Sequence, residues 1–244
     1  MSFPVRAITL DLDDTVWPFA PIGARIEHAL HAWLGEHSPA TAERFPPHEM
    51  LRLRERVLAR HPELAHDLTA IRRRAIEIAL AESGSDPALL EPAFEVFYAT
   101  RNQVDFYPDS LAGLRRLAAR VPLIALSNGN ADLARIGIDG LFAGQLSARE
   151  HGAPKPAPSI FLAACALAGA APGEVLHVGD NVELDVAGAA RAGLRSCWLH
   201  RDDHPDGLRA WPHAHLAPDL TFDSLLALAD WLDATQPGAA ATAA

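Results

Sequence analysis

The sequence predicts an α/β fold: a parallel sheet covered by helices on both faces, interrupted after its first strand by an all-helical insertion. Three observations carry that prediction. Residues 5–10 are apolar and rich in β-branched side chains, as in a buried strand, and run directly into Asp11-Leu12-Asp13-Asp14-Thr15. Residues 21–104 show helical periodicity and no strand pattern. From residue 110 onward strand and helix patterns alternate, which calls for parallel pairing with crossover helices.

Within the insertion, Ile22, Ile26, Leu30, Trp33 and Leu34 form one apolar stripe. Met50, Leu53, Val57 and Leu58 form a second, and Leu68, Ile71, Ala75 and Ile78 a third. Leu90, Phe94, Phe97 and Tyr98 form a fourth. Turn residues separate them at Ser38-Pro39, Pro46-Pro47, His61-Pro62 and Gly84-Ser85-Asp86-Pro87. Afterwards come a helix over 110–120, a strand over 121–126, a helix over 157–168 and a strand over 174–178. A helix over 183–192, a strand over 195–199 and a closing helix over 222–232 complete the core. The expected domains are therefore a core of 1–18 and 105–235 and a helical insertion of 19–104. The low-complexity tail 236–244 is expected to be disordered.

With 49% hydrophobic and 21% charged residues in 244, the chain has the profile of a soluble globular protein. A net charge of −10 argues against a nucleic-acid partner. The longest apolar stretch, 161–171, is too short to span a bilayer, and residues 1–10 do not read as a signal peptide, so no membrane role and a cytoplasmic location are expected. Cys165 and Cys197 lie in apolar surroundings and read as small buried hydrophobes. Twenty of the 21 basic residues are arginine, and the one lysine is Lys155. A position that keeps lysine here points to a need for a compact charge in place of a planar fork.

Three predicted strands end in polar clusters: Asp11 and Asp13, Ser127-Asn128, and Gly179-Asp180. Adjacent parallel strands would bring them together at the carboxyl end of the sheet, where open α/β sheets bind ligands. Carboxylates so gathered repel one another, and oxygen donors select a hard divalent cation, Mg2+ before zinc. Asp11 is then the candidate nucleophile toward phosphorus, and Asp13 the acid/base partner. Ser127, with the backbone N–H groups after it, is a candidate for the non-bridging oxygens, and Lys155 for the charge of the transferring group.

Together these residues resemble the haloacid dehalogenase-like hydrolase superfamily across essentially the whole chain. Asp11-Leu12-Asp13-Asp14-Thr15 is similar to its first motif and Ser127-Asn128-Gly129 to its second. Lys155 in Gly152-Ala153-Pro154-Lys155-Pro156 corresponds to the third, and Gly179-Asp180-Asn181-Val182-Glu183-Leu184-Asp185 to the fourth. The resemblance implies a Rossmann-like core and a helical cap that closes over substrate. It implies an aspartyl-phosphate intermediate and Mg2+ held by the Asp11 carboxylate, the Asp13 carbonyl and the Asp180 carboxylate. Asp185 and Asn181 would stand behind these ligands, and Thr15, Ser127, Asn128 and Lys155 would bind phosphate. Dehalogenase members lack the second aspartate of the first motif, so Asp13 speaks for phosphatase chemistry.

A narrower resemblance, to bacterial phosphatases acting on flavin mononucleotide and on the phosphorylated ribitylaminouracil precursor of riboflavin, rests on three stretches. They are residues 9–15, Pro62-Glu63-Leu64-Ala65-His66-Asp67-Leu68-Thr69, and 176–180 through Cys197-Trp198. It implies a small phosphorylated metabolite as substrate, with Trp17 a candidate to stack on a flavin or pyrimidine ring or else a plug between cap and core. A phosphosugar mutase using the same aspartyl-phosphate chemistry, a 2-haloacid dehalogenase and a non-catalytic binding module stay open as alternatives, and the oligomeric state is open too. Arg72-Arg73-Arg74 reads as a solvated helix face. His200, His204, His213 and His215 match no zinc spacing and read as an ordinary polar loop.

Overall fold

A computed structural model describes residues 3–201, 211 and 213–235 of the chain. The tail from 236 and His204 lie outside the described residues. Two compact units emerge, one within Met1–Pro18, Asp105–Gly129 and Gly137–Ala244, the other Phe19–Val104 with Asn130–Ile136.

The first unit is built on six strands: β1 (Ala7–Leu10), β2 (Leu123–Ser127), β3 (Gly144–Ser147), β4 (Val175–Gly179), β5 (Arg195–Leu199) and β6 (Leu220–Phe222). All pair in parallel, in the order β3-β2-β1-β4-β5-β6. β1, β2 and β4 are buried throughout, which explains their continuous apolar runs where a one-sided strand would alternate. On one face, Ala7, Ile124, Leu126 and Val175 join Ile160, Phe161, Ala164 and Cys165 of a helix spanning Pro158–Ala168 in a single apolar core. Helices at Ser110–Ala118 and Leu225–Thr235 pack against each other elsewhere in the unit. They approach so closely at Gly113 that an added Cβ would lie 2.6 Å from that of Leu225. Among the described residues no helix is long and apolar enough to cross a membrane.

The second unit is helical: α1 (Phe19–His37), α2 (Pro39–Arg44), α3 (Pro47–Arg60), α4 (Leu68–Glu82) and α5 (Leu90–Arg101), with the short α6 (Leu133–Ile136). Its core joins Leu30 and Leu34 of α1, Met50, Leu53 and Val57 of α3, Ile71, Ala75 and Ile76 of α4, and Ala93 of α5. Each predicted stripe thus supplies core residues, except that Leu58 (39% exposed) and Leu68 (46%) face solvent. Residues 130–136, which the sequence reading put in the core, join the helices through specific bonds. Asp132 N donates to Asn102 Oδ1 at 2.8 Å, Asn130 Nδ2 to Thr69 Oγ1 at 3.2 Å, and Arg135 pairs with Glu95 at 2.6 Å.

The arginine triplet corrects the expectation of a solvated face. Arg72 is buried, bound to Glu27 of α1 at 2.5 Å, and its guanidinium lies 4.9 Å from the Phe97 ring centre. Arg73 and Arg74 stay exposed and pair with Glu91 and Glu77.

Both cysteines are buried and free. Burial disfavours the thiolate, pushing Cys165 up to about 11 and Cys197 higher. Since the thiolate is the reactive form, a thiol-specific reagent at pH 8 is expected to label neither cysteine in the native protein and both after denaturation. Fast labelling of the native protein would contradict this packing.

Candidate active site

β1 lies between β2 and β4, and the chain builds outward in opposite directions on its two sides. Ligand crevices of open α/β sheets form at such reversals, outside the carboxyl ends of the strands. Leu10 pairs with Ala125 on one side and Val178 on the other, so Asp11, Ser127 and Asp180 leave neighbouring strands at nearly one level. Asp11 N still donates to Val178 O at 2.9 Å, carrying the ladder through Asp11 itself.

Beyond Asp11 the chain turns tightly. Leu12 O accepts from Thr15 N and Val16 N, at 3.2 and 2.8 Å, and Asp14 takes the left-handed conformation (φ 59°) that aspartate tolerates better than most residues. Asp14 N closes the turn on Trp17 O at 2.7 Å. The turn brings the Trp17 indole N–H to Asp13 Oδ1, at 2.8 Å.

Lys155 enters from the loop before the Pro158–Ala168 helix, 3% exposed, with its ammonium 2.6 Å from Asp11 Oδ1 and 2.7 Å from Asp185 Oδ1. Asn128 holds the lysine's main chain: its Oδ1 accepts from Lys155 N at 2.7 Å, and its Nδ2 donates to Lys155 O at 3.0 Å. Ser127 Oγ accepts from Gly129 N at 2.9 Å, closing the turn after β2.

Asp185 sits in a π-helical turn, Val182–Ala187, that winds on into a short α-helix at Gly188–Arg191. Besides Lys155, it meets His177 Nε2 at 3.0 Å and the Asn181 N–H at 3.0 Å. Asn181 in turn caps the turn, its Oδ1 accepting from Glu183 N and Leu184 N. Gly179 makes room for this carboxylate: a Cβ there would lie 2.7 Å from Asp185 Cβ and closer still to the carboxylate.

The charges do not balance locally. Asp11 and Asp185 share a single ammonium, and Asp180 gathers with them. Burial pushes the Asp11 carboxyl well above the usual range, opposed by Lys155 and reinforced by the neighbouring Asp185 and Asp180. Burial acts the same way on Asp185, but Lys155 and His177 outweigh it and hold Asp185 below that range. Burial lowers Lys155, yet Asp11 and Asp185 overcome it and raise the ammonium's pKa. Burial also lowers His177, keeping the ring neutral.

Asp11, Asp180 and Asp185 each offer an oxygen within 4.8 Å of the others, the group among the described residues that fits a metal ion; His200, His213 and His215 are not part of it. An all-carboxylate donor set with surplus negative charge suits a hard divalent cation. With Asp185 engaged by Lys155, His177 and a backbone N–H, the partly exposed Asp11 and Asp180 are the better placed ligands.

Three expectations change. Trp17 is fully buried, edge-on to Phe106 at 5.7 Å, and offers no face for a substrate ring; it props Asp13. Thr15 is fully buried and donates to Asp180 Oδ1 at 3.0 Å, so its hydroxyl serves Asp180 in place of phosphate. The Asn128 side chain is spent on the main chain of Lys155.

Other supporting residues were missed by sequence reading. His177 Nδ1 lies 2.9 Å from Thr9 Oγ1, its register partner on β1, and a lone histidine inside an apolar strand was the signal available. Trp198 donates its indole N–H to Asp180 O at 2.9 Å. Buried Arg201 gives Nε and Nη2 to Thr15 O, at 3.1 and 2.8 Å, and pairs with Asp109 Oδ1 at 2.5 Å. No local pattern announces these two.

Gly179→Ala is expected to displace Asp185 and unpair the buried charges, costing about 3–5 kcal/mol. Gly173→Ala, with open space around the added Cβ, is the control. Chemical denaturation of both measures the difference, and equal midpoints would contradict the arrangement.

Known proteins carry the same arrangement of sequence. The signature of the haloacid dehalogenase-like hydrolases matches residues 5–193. The chain is 33% identical over 228 residues to the 5-amino-6-(5-phospho-D-ribitylamino)uracil phosphatase YigB of Escherichia coli, covering 92% of this chain and 94% of that one. It is 35% identical over 147 residues to phosphoserine phosphatase of Thermus thermophilus, covering 58% and 59%. The structure of a 2-haloacid dehalogenase from Pseudomonas syringae pv. Tomato superposes with a TM-score of 0.85 at 36% identity, over 94% of this chain and 99% of that one. The matched span runs from before β1 to beyond Asp185 and so holds all three strand-end clusters and Lys155: the chain belongs to the haloacid dehalogenase-like hydrolases.

Proposed function

We propose that the protein is a Mg2+-dependent phosphomonoesterase acting on a small phosphorylated metabolite, with Asp11 as nucleophile and Asp13 as acid/base. The observation that carries this is the pair itself. Asp11 is braced by Lys155, and Asp13, two residues on, is held by the Trp17 N–H. A dehalogenase has no leaving oxygen to protonate and no use for the second carboxylate. The phosphatases among the relatives support the same reading.

In this reading an Asp11 oxygen attacks phosphorus and the ester P–O bond breaks. Asp13 gives its proton to the departing oxygen, which leaves as an alcohol. Water then attacks phosphorus of the acyl phosphate, Asp13 takes the water's proton, and inorganic phosphate departs with Asp11 restored. Lys155 and Ser127, with the main chain after it, bind the non-bridging oxygens. A divalent cation held by the Asp11 and Asp180 carboxylates and the Asp13 carbonyl would screen the nucleophile's charge from the phosphate's.

The substrate class is proposed from YigB: phosphorylated ribitylaminouracil or the related flavin mononucleotide. A second reading, 2-haloacid dehalogenation, is favoured by the Pseudomonas structure and by the (S)-2-haloacid dehalogenase 4A of Burkholderia cepacia, 29% identical over 125 residues. A phosphate-release screen over metabolites with and without Mg2+, run beside a halide-release assay on 2-haloacids, separates them. Phosphate release that needs Mg2+, with no halide release, is expected, and the opposite pattern would overturn the proposal. Good turnover of sugar phosphates with none of flavin mononucleotide or the ribitylaminouracil ester would discard the substrate class.

Two variants test the roles. Asp11→Asn is expected to lower kcat by at least about 10³-fold with little change in melting temperature, since the nucleophile is lost. Lys155→Arg is expected to lower kcat/KM at least about tenfold, because a planar fork does not fit between two carboxylates that a single ammonium reaches. Near-native turnover in either would remove that residue from its role.

A further inference from the structure

We infer that the carboxyl end of β5 positions Asp180 through two separate holds: Trp198 on its main chain, and Arg201, acting through Thr15, on its carboxylate. This rests on the phosphatase reading above, in which Asp180 is a ligand of the divalent cation, and it assigns that site a support from the far side of the sheet.

The first hold follows from register. Trp198 pairs with Gly179 across β4 and β5, one residue before Asp180, and its indole N–H reaches Asp180 O at 2.9 Å. The ring is not free to turn. It stacks on His200 at 4.3 Å between centres, with the ring planes nearly parallel at 12°, and meets Trp211 edge-on at 5.2 Å. The N–H is therefore aimed by packing before any ligand arrives.

The second hold runs through the turn after β1. Arg201, just beyond β5, places two N–H groups on the one carbonyl of Thr15, while Nη1 grips Asp109 and the guanidinium lies 4.1 Å from the Tyr107 ring centre. Asp109 is fixed in turn by Leu225 N at its other oxygen. Thr15, fully buried, then donates its hydroxyl to Asp180 Oδ1. A carboxylate has few torsions, and fixing its main chain and one oxygen settles which way it faces. Partners standing behind metal ligands commonly govern affinity by about 10- to 100-fold.

Trp198 and Arg201 are positioning residues and touch no reacting atom. The test uses the full-length protein and Mg2+ alone, reading an apparent dissociation constant from the rise of melting temperature with Mg2+ concentration. Trp198→Phe keeps an aromatic ring and removes the N–H together with the pyrrole half of the indole, and the melting temperature of the metal-free protein reports any loss of packing. The variant is expected to weaken Mg2+ binding about tenfold. The Mg2+ needed for half-maximal hydrolysis should rise equally, with KM for the ester unchanged at saturating Mg2+. Arg201→Lys keeps the charge but cannot give two N–H groups to one carbonyl along fixed directions, and is expected to shift affinity the same way. Trp33→Phe, in α1 of the helical unit, where the ring stacks on His37, is expected to bind Mg2+ as the wild type does.

Wild-type Mg2+ affinity in Trp198→Phe and Arg201→Lys, with any lost activity following the melting temperature of the metal-free protein, overturns the inference and leaves the phosphatase reading intact. If Arg201→Lys does not fold, Trp198→Phe decides alone. A wild-type protein whose melting temperature ignores Mg2+ overturns both.

Discussion

The site depends on one buried carboxylate. Asp185 is a charge removed from water, and such a charge is tolerated only when paired and hydrogen-bonded. Lys155, His177 and the Asn181 N–H supply those partners, and Gly179 supplies the space. Neutral His177 acts as a relay of fixed polarity. With Nε2–H given to the acceptor-only Asp185 carboxylate, Nδ1 is left to accept from the Thr9 hydroxyl, so the ring links a residue inside β1 to Asp185. A chain of contacts thus runs from the centre of the sheet to the ammonium that braces Asp11.

Why that ammonium belongs to lysine follows from the same geometry. Two carboxylate oxygens from different elements lie within 2.7 Å of one nitrogen. A tetrahedral ammonium can donate to both and keep a third N–H for a bound oxygen, whereas a guanidinium spreads its donors across a plane. Elsewhere the protein uses arginine wherever one carboxylate is gripped from the side, as Arg72 grips Glu27 and Arg201 grips Asp109.

How much of this was legible in the sequence varied with how local the cause was. β1, β2 and β4 announce themselves because burial on both faces demands largely apolar runs, β5 shows through Cys197-Trp198-Leu199, and the strand-end clusters follow directly. β3 did not: Gly144-Gln145-Leu146-Ser147 is a half-exposed edge strand with no β-branched residue. β6 has three residues and no fully buried position. The turn at Val182–Ala187 reads as an ordinary helix, and its wider winding arises where Asn181 O takes both Asp185 N and Val186 N. The contacts of Thr15 with Asp180, Asn128 with Lys155 and Trp17 with Asp13 were not legible, since a side chain's partner is chosen by tertiary geometry that a motif does not encode. Arg72 shows the same limit in the helical unit, where Glu27, 45 residues away in the chain, turns an apparent surface charge inward.

The division of labour explains why the reaction is easier to read than the substrate. The roles proposed for Asp11, Asp13, Lys155, Ser127 and Asp180 concern a phosphoryl group, its leaving oxygen and a cation, and every phosphomonoester presents those same features. A ribitylaminouracil phosphate and phosphoserine share little beyond the phosphate, yet the phosphatases named for them are about equally identical to this chain where they align. Identity of that degree reports the shared core chemistry. Discrimination requires contacts to the part of the molecule that differs, and a pocket separates substrates by contacts made or left unpaired in the transition state. Since the residues around Asp11 are committed to phosphate, metal and one another, selection falls to side chains outside that constellation. Variants there are expected to change kcat/KM between esters while leaving the Mg2+ requirement untouched.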